Sequence, residues 1–341
     1  MDKARIYSNF GPLVLDLESR LASRLALPPS CVVSAANATV LLTASLLAQS
    51  PQPGSLCLMP AWTFVASPLA AVSAGLVPYF LDVSSEEWLL KPEAIAQASE
   101  AIEGNVGAVM PVAPFGQPID VAAWDSFRRA TKLAVVIDSA AGFDAIGVGE
   151  VPNVVSLHAT KALGAGEGGF MASRDEDLLK AVRAYLSFGF SGSREAQVLG
   201  FNGKLSEYHA AVGLAALDEW NDTRQALVLR AKAYSQAFRS TNAVRLQQGF
   251  GDDWIANTLT VELPDGTGDR VAHLLAVAGI DTRHWWGQGA HAHKATSAFP
   301  RAELPVTERL ATSTLGLPFY VDMPLDDIDR VAAEVLRGLV S

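Results

Sequence analysis

Leucines at positions 13, 17, 21 and 25 recur every four residues, a spacing that predicts an amphipathic helix closed by Pro28-Pro29. Beyond it, short apolar runs alternate with helix-length segments: Cys31–Ser34, Leu56–Met59, Val77–Leu81, Ala108–Val112 and Leu133–Asp138. None of these runs alternates polar with apolar positions, as a strand with one wet face would. They predict strands buried on both faces, joined by helical crossovers into a parallel sheet, and hence an α/β architecture. From Glu207 to Phe238 the pattern turns long and helical, and after Trp254 strands and helices mix less regularly. This change predicts a large N-terminal domain over residues 1–224 and a smaller α+β domain over 225–341.

Composition narrows the class. A chain of 341 residues, at about 150 residues per domain, has room for two such units. With 50% hydrophobic and 18% charged residues, it lies far from the disordered class. No formal charge occurs between Leu25 and Phe80, but Pro28, Pro29, Pro51, Pro53, Gly54, Pro60 and Pro68 cut that stretch into pieces shorter than the ~20 residues of a bilayer-spanning helix. The first residues, MDKARIYSNFGP, contain no apolar core of a signal peptide. Together with the two cysteines, Cys31 and Cys57, which have no metal-like spacing, they point to a reducing, cytoplasmic setting without a membrane. A net charge of −10 argues against a nucleic-acid or anionic-lipid partner, since both need a positive surface field.

Candidate chemistry begins at Asp138, which ends an apolar strand where ligands of open α/β sheets bind. Alone, such a carboxylate also suits a helix cap or strand-end turn. Lys161 changes the balance, because it stands between the apolar strand Val154–Leu157 and a glycine-rich turn, where desolvation lowers the pKa of an amine and frees it to attack a carbonyl. An acidic strand end, a sheltered lysine and a glycine loop fit a pyridoxal-phosphate site. Gly164, Gly166 and Gly169 satisfy G-x-G-x-x-G, but they follow a lysine and lead into a strand, so the dinucleotide fingerprint does not apply. His284, His291 and His293 have no nearby Cys, Asp or Glu in sequence to complete a metal shell, and a surface loop explains them better.

Ser156-Leu-His-Ala-Thr-Lys161 with its glycine turn resembles the DegT/DnrJ/EryC1/StrS sugar aminotransferases, which are pyridoxal-phosphate enzymes of fold type I. Further blocks follow the family's order: Asn9-Phe-Gly-Pro12, Pro60-Ala-Trp-Thr-Phe-Val-Ala66, Phe115-Gly-Gln-Pro118, Asp138-Ser-Ala-Ala141, Gly200-Phe-Asn-Gly-Lys-Leu-Ser-Glu207 and Thr282-Arg283. The resemblance implies a seven-stranded, mostly parallel sheet, pyridoxal 5'-phosphate as cofactor, Lys161 as the Schiff-base lysine and Asp138 as partner of the pyridinium nitrogen. It makes Phe64 the residue stacked on the ring, Ser156 a phosphate-side hydroxyl, and Ala36 and Asn37 the phosphate turn at a helix N-terminus. Asn202 and Lys204 match positions that reach across a homodimer to the partner's cofactor phosphate.

Four positions depart from the pattern. Ala36-Asn37 replaces Gly-Thr, Ala141 stands where glutamine commonly meets the ring hydroxyl, and Lys204 replaces arginine. Asn can still cap or donate, and lysine keeps the charge but gives up the bidentate fork. Members with histidine at the lysine position catalyse dehydration, and Lys161 argues against that branch. The expected reaction moves an amino group from L-glutamate to a nucleotide-linked keto-sugar, with the Gly200–Glu207 block closer to members acting on 4-keto-6-deoxy hexoses. Arg283 is a candidate substrate contact, as are the stacking faces of Trp285 and Trp286, although a surface salt bridge or simple packing accounts for these residues equally well. Two other readings remain open at this level: an enzyme acting on amino acids only, and a non-catalytic protein that binds the cofactor.

Overall fold

The computed structural model describes residue 5, residues 10–99 and residues 102–340; Asn9, from the first family-like block, lies outside them. Helix α1 (Pro12–Arg24) starts with proline in its first turn and buries Val14, Leu17 and Leu21. Its free N-terminal amides are capped from a distance: the buried Glu207 carboxylate accepts from Leu13 N at 3.0 Å and Val14 N at 2.9 Å. That carboxylate sits in the first turn of α7 (Glu207–Asp218), whose own N-cap is Ser206, so one acidic side chain ties two helix starts together.

The main sheet runs through strands β1 (Val32–Ala35), β2 (Leu56–Pro60), β3 (Val77–Leu81), β4 (Val106–Val109), β5 (Ala134–Val135 and Ile137–Asp138, interrupted at Val136), β6 (Asn153–Ser156) and β7 (Gly169–Ala172). Two four-stranded pieces share β5, giving the spatial order β3-β2-β4-β5-β6-β7-β1. All pairs are parallel except those made by β7, which runs antiparallel to both β6 and β1. Of these strands, β1, β2, β5, β6 and β7 are buried along their whole length, as the unbroken apolar runs require, whereas β3 leaves Val77 and Tyr79, and β4 leaves Val106 and Gly107, half-exposed. Helices α2 (Ala38–Ala48), α3 (Ala66–Ser73), α4 (Pro92–Ser99), α5 (Val121–Thr131) and α6 (Glu176–Leu186) form the crossovers and the cover. The structure has the expected α/β class and a seven-stranded, mostly parallel sheet.

The expected division near residue 224 falls inside α8 (Trp220–Phe238), which runs unbroken from beside the sheet to a second layer. There a three-stranded antiparallel sheet, β8 (Arg245–Leu246), β9 (Leu259–Glu262) and β10 (Thr314–Leu317), packs with α9 (Gly268–Val277) and α11 (Leu325–Val340). The segment between them returns to the main sheet. Ala290 N donates to Ala61 O at 2.8 Å. Asp82 caps α10 (Pro305–Ser313), accepting from Val306 N, Thr307 N and Thr307 Oγ1 at 2.7–2.8 Å. Trp286 stacks on Phe115 with centroids 4.1 Å apart, beside Trp62 and Trp88. Among the described residues no helix is long and apolar enough to cross a membrane. Cys31 and Cys57 are both buried and unbridged, and burial pushes the Cys57 thiol up to about 12.

One buried ion pair holds β1 in place. Glu18, 2% exposed, accepts from Ser34 N and Oγ at 2.8 Å and is gripped by Arg183, which reaches Oε2 at 2.6 Å and also donates to Val32 O. Removing one partner of such a pair leaves an uncompensated charge in the interior. Arg183→Met is therefore expected to cost about 3 kcal/mol in urea unfolding; a loss below about 1 kcal/mol, the usual worth of an exposed pair, would show that Glu18 does not depend on it.

Candidate active site

The sheet register brings the candidate residues to one edge. Ala35 of β1 pairs with Gly169, and Gly169 with Ser156 of β6, while Asp138 of β5 pairs with Val154, two residues before Ser156. The carboxyl ends of β1, β5 and β6 therefore deliver the Ala36–Asn37 turn, Asp138 and the Ser156–Lys161 loop to the same crevice, where open α/β sheets bind ligands. The chain after β2 adds Phe64.

Asp138 is 5% exposed at the end of β5. Burial raises its pKa, and the donors Ser67 Oγ at 2.7 Å from Oδ2 and Ala140 N at 3.1 Å from Oδ1 work against that rise. Lys161 is half-buried at the end of the loop that follows β6. Burial lowers its pKa, and the negative charge of Asp138 partly restores it. The two groups feel each other's charge, with no close ion pair between them. Phe64 is 58% exposed, an aromatic face left open at the start of α3 rather than packed into the core.

At the other end of the crevice Asn37 caps α2, its side chain accepting from Val40 N at 2.9 Å. The Ala36 amide is already spent: it donates to Gly203 O at 2.8 Å. Within one chain, then, the segment carrying Asn202 and Lys204 lies against the turn. Lys204 Nζ donates to Asn202 Oδ1 at 2.6 Å and sits 4.4 Å from the centre of the exposed Phe188 ring. Burial lowers the Lys204 pKa. Ser156 Oγ accepts from His158 N at 3.2 Å, which leaves its hydroxyl proton to give away. Gly169 is required here, because a Cβ would lie 2.8 Å from Ala38 N and 3.0 Å from Val155 O.

Arg283 is exposed and joined to the small sheet only through its backbone, paired with Gly316 at 3.0 and 2.8 Å. Trp286 packs in the aromatic cluster, and Trp285 remains 46% exposed. His291 is buried against Phe80, and among the described residues no group of three or more metal-ligating side chains forms. Ser67 and Thr63 reach the site although the sequence pattern gives neither a role there. The block Pro60–Ala66 stops one residue short of Ser67, and only the fold reveals that the first turn of α3 faces β5. Asn257 carries no sequence signal either. It comes from the second layer, and its amide donates to Thr160 O, beside Lys161.

These residues fit pyridoxal phosphate. A sheltered amine, a buried carboxylate, an open aromatic face and a helix N-terminus occur in the order the cofactor's aldehyde, ring and phosphate need. A family model described as the DegT/DnrJ/EryC1/StrS aminotransferase family matches residues 1–336. The crystal structure of DesI in the presence of its TDP-sugar product superimposes with a TM-score of 0.86 at 30% identity, covering 99% of this chain and 87% of DesI. Protein Rv3402c of Mycobacterium tuberculosis is 29% identical over 99% of this chain and 85% of its own length. The UDP-N-acetyl-3-dehydro-alpha-D-glucosamine 3-aminotransferase of Acidithiobacillus ferrooxidans is 27% identical over 90% of this chain and 84% of the enzyme.

The lowered pKa of Lys161 has a measurable consequence for stability. A base whose folded pKa falls below its unfolded value of 10.5 binds fewer protons when folded, so its penalty is complete below the folded pKa and fades as pH rises toward 10.5. Lys161→Met is expected to raise the melting temperature of cofactor-free protein at pH 7, with the gain shrinking at high pH. Calorimetry across pH checks this, and an unchanged or lower melting temperature at pH 7 would contradict it.

Proposed function

We propose a function for this chain from one premise: it belongs to the DegT/DnrJ/EryC1/StrS aminotransferase family, whose members depend on pyridoxal phosphate. The chain transfers an amino group from L-glutamate to a keto carbon of a nucleotide-linked sugar, a 4-keto-6-deoxy hexose by the likeness of its Gly200–Glu207 block. The observation that carries this reading is the meeting of Lys161 and Asp138 at one sheet edge with the open ring of Phe64 beside them. The DesI structure with its TDP-sugar product and the enzyme acting on a UDP-linked keto-sugar support a nucleotide-sugar acceptor.

When bound, the cofactor supplies an electron sink conjugated to the substrate's nitrogen. Asp138, whose two donors oppose the rise that burial imposes on its pKa, keeps a proton on the ring nitrogen and so deepens that sink. Lys161, neutral more readily than a surface lysine, carries a proton away from the donor's α-carbon and delivers one to the sugar carbon that becomes the amine. Phe64 covers one ring face. The α2 N-terminus capped by Asn37 and the proton of Ser156 hold the phosphate. Ala141 offers the ring hydroxyl no side-chain contact.

Asn202 and Lys204 complete the phosphate site of a partner subunit in a homodimer. Exposed Phe188, Phe190, Leu199, Tyr208 and Val212 on the same stretch support an interface there. The setting is the cytoplasm.

Absorbance spectra test the reading. Pyridoxal phosphate added to the protein is expected to give a long-wavelength band that Lys161→Ala lacks, and L-glutamate converts it to the short-wavelength band of the aminated cofactor. A band that ignores glutamate overturns the donor, and turnover without any keto-sugar would place the protein among enzymes of amino acids alone. Asp138→Asn is expected to lower kcat by about 10²–10⁴, the range of a lost acid–base partner, and steady-state kinetics with the keto-sugar checks it.

A further inference from the structure

Two hydroxyls stand in line behind Asp138. Ser67, fully buried, donates to Oδ2 at 2.7 Å, and Thr63 Oγ1, in a residue 1% exposed, lies 2.8 Å from Ser67 Oγ. Each hydroxyl has one proton, and an ionised carboxylate can only accept. With Asp138 charged, the Ser67 proton is committed to it and Thr63 must donate to Ser67. With Asp138 protonated the row can reverse: the acid donates to Ser67, Ser67 to Thr63, and Thr63 turns to the Phe64 carbonyl 3.4 Å away. That last bond is long, so the reversed row is the weaker of the two. The direction of the chain and the charge of Asp138 are thus linked, and the geometry favours the charged state.

The same turn places the ring-covering aromatic. Ser67 N donates to Phe64 O at 3.2 Å as α3 begins, so residues 63–67 hold both the carboxylate at the ring's edge and the side chain at its face. No other charged side chain among the described residues acts on Asp138 besides Lys161.

We propose that Thr63 and Ser67 form a positioning relay that keeps Asp138 ionised and thereby sets the proton on the cofactor's ring nitrogen. The second half of the statement rests on the function proposed above; the first half does not. The relay predicts that loss of the Ser67 hydroxyl weakens the electron sink while leaving the sugar site untouched.

The test uses Ser67→Ala, Thr63→Val and Thr63→Ser, each checked for a wild-type melting curve. In cofactor-free protein labelled with ¹³C at the Asp carboxyl, with Asp138 assigned by its loss in Asp138→Asn, its titration midpoint is expected to rise by about one pH unit in Ser67→Ala, a tenfold change in protonation. Thr63→Val should move it less in the same direction, and Thr63→Ser, which keeps the hydroxyl, not at all. In protein loaded with ring-¹⁵N pyridoxal phosphate, the nitrogen signal of Ser67→Ala shifts toward unprotonated pyridine. Its kcat is expected to fall about tenfold, the same factor, at unchanged KM for the keto-sugar. An Asp138 midpoint in Ser67→Ala equal to wild type overturns the relay. A shifted midpoint with an unmoved ring nitrogen overturns its role toward the cofactor. If the protein takes up no pyridoxal phosphate, the proposed function fails, while the cofactor-free titration still decides whether the relay exists.

Discussion

A carboxylate placed inside a protein needs donors, because nothing in an apolar interior replaces the water it gives up. Asp138 imposes that requirement on the structure around it. Its position at the end of β5 is set by a sheet buried on both faces, and its charge is sustained by one backbone amide, one serine hydroxyl and the field of Lys161. Each of these comes from a different part of the chain. Ser67 requires that α3 start against β5, the Ala140 amide requires a tight turn after the strand, and Lys161 requires the β6 loop to fold back along the glycine-rich turn. The packing of the sheet edge follows from the needs of this one group.

Both members of the central pair are held away from their ordinary protonation behaviour by the same burial. The carboxyl rises and the amine falls, and neither relieves the other by close pairing. A fold that only sought stability would bring them together or replace both with apolar groups. The proposed function accounts for keeping them apart, and other charged groups tie down the elements around them. The pair Glu18–Arg183 pins β1 just before the phosphate turn. Glu207 closes the start of α1 from the helix that follows the Asn202–Lys204 segment. Asp82 fastens the return of the C-terminal region to the end of β3.

Much of this was legible in the sequence, and the reason is physical. Strands buried on both faces must be uniformly apolar, so the five strand runs were visible, as was the charge that ends one of them. A lysine beside a glycine turn is conspicuous because lysines rarely sit in such places. The domain boundary was less readable, since a continuous helix such as α8 carries the same periodicity on either side of any division. Ser67 was invisible for another reason: a serine in a run of small residues is locally indistinguishable from its neighbours, and only the contact between α3 and β5 gives it work. Arg283 shows the opposite case. Its sequence position suited a substrate contact and a surface ion pair equally, and in the structure its backbone serves the small sheet while its side chain stands in the open.

The phosphate end of the crevice shows how the departures at Ala36 and Asn37 change the division of labour. A glycine turn binds a phosphate by exposing successive amides, but here the Ala36 amide is held by Gly203 O at 2.8 Å. The proposed function then leaves the phosphate to the amides of the first turn of α2 and to the macrodipole behind them, with Asn37 fixing the geometry of that turn by its bond to Val40 N. The bond from Ala36 to Gly203 does more than consume a donor. It fastens the segment between Asn202 and Lys204 to the turn of its own chain, from which the proposed homodimer presents both side chains to the partner, and Gly203 tolerates no side chain there because a Cβ would lie 2.7 Å from Val40 Cγ1. The Ala36 amide thereby positions the two polar side chains on either side of Gly203. The turn and the Asn202–Lys204 segment act as one unit, so a substitution in either is felt in both.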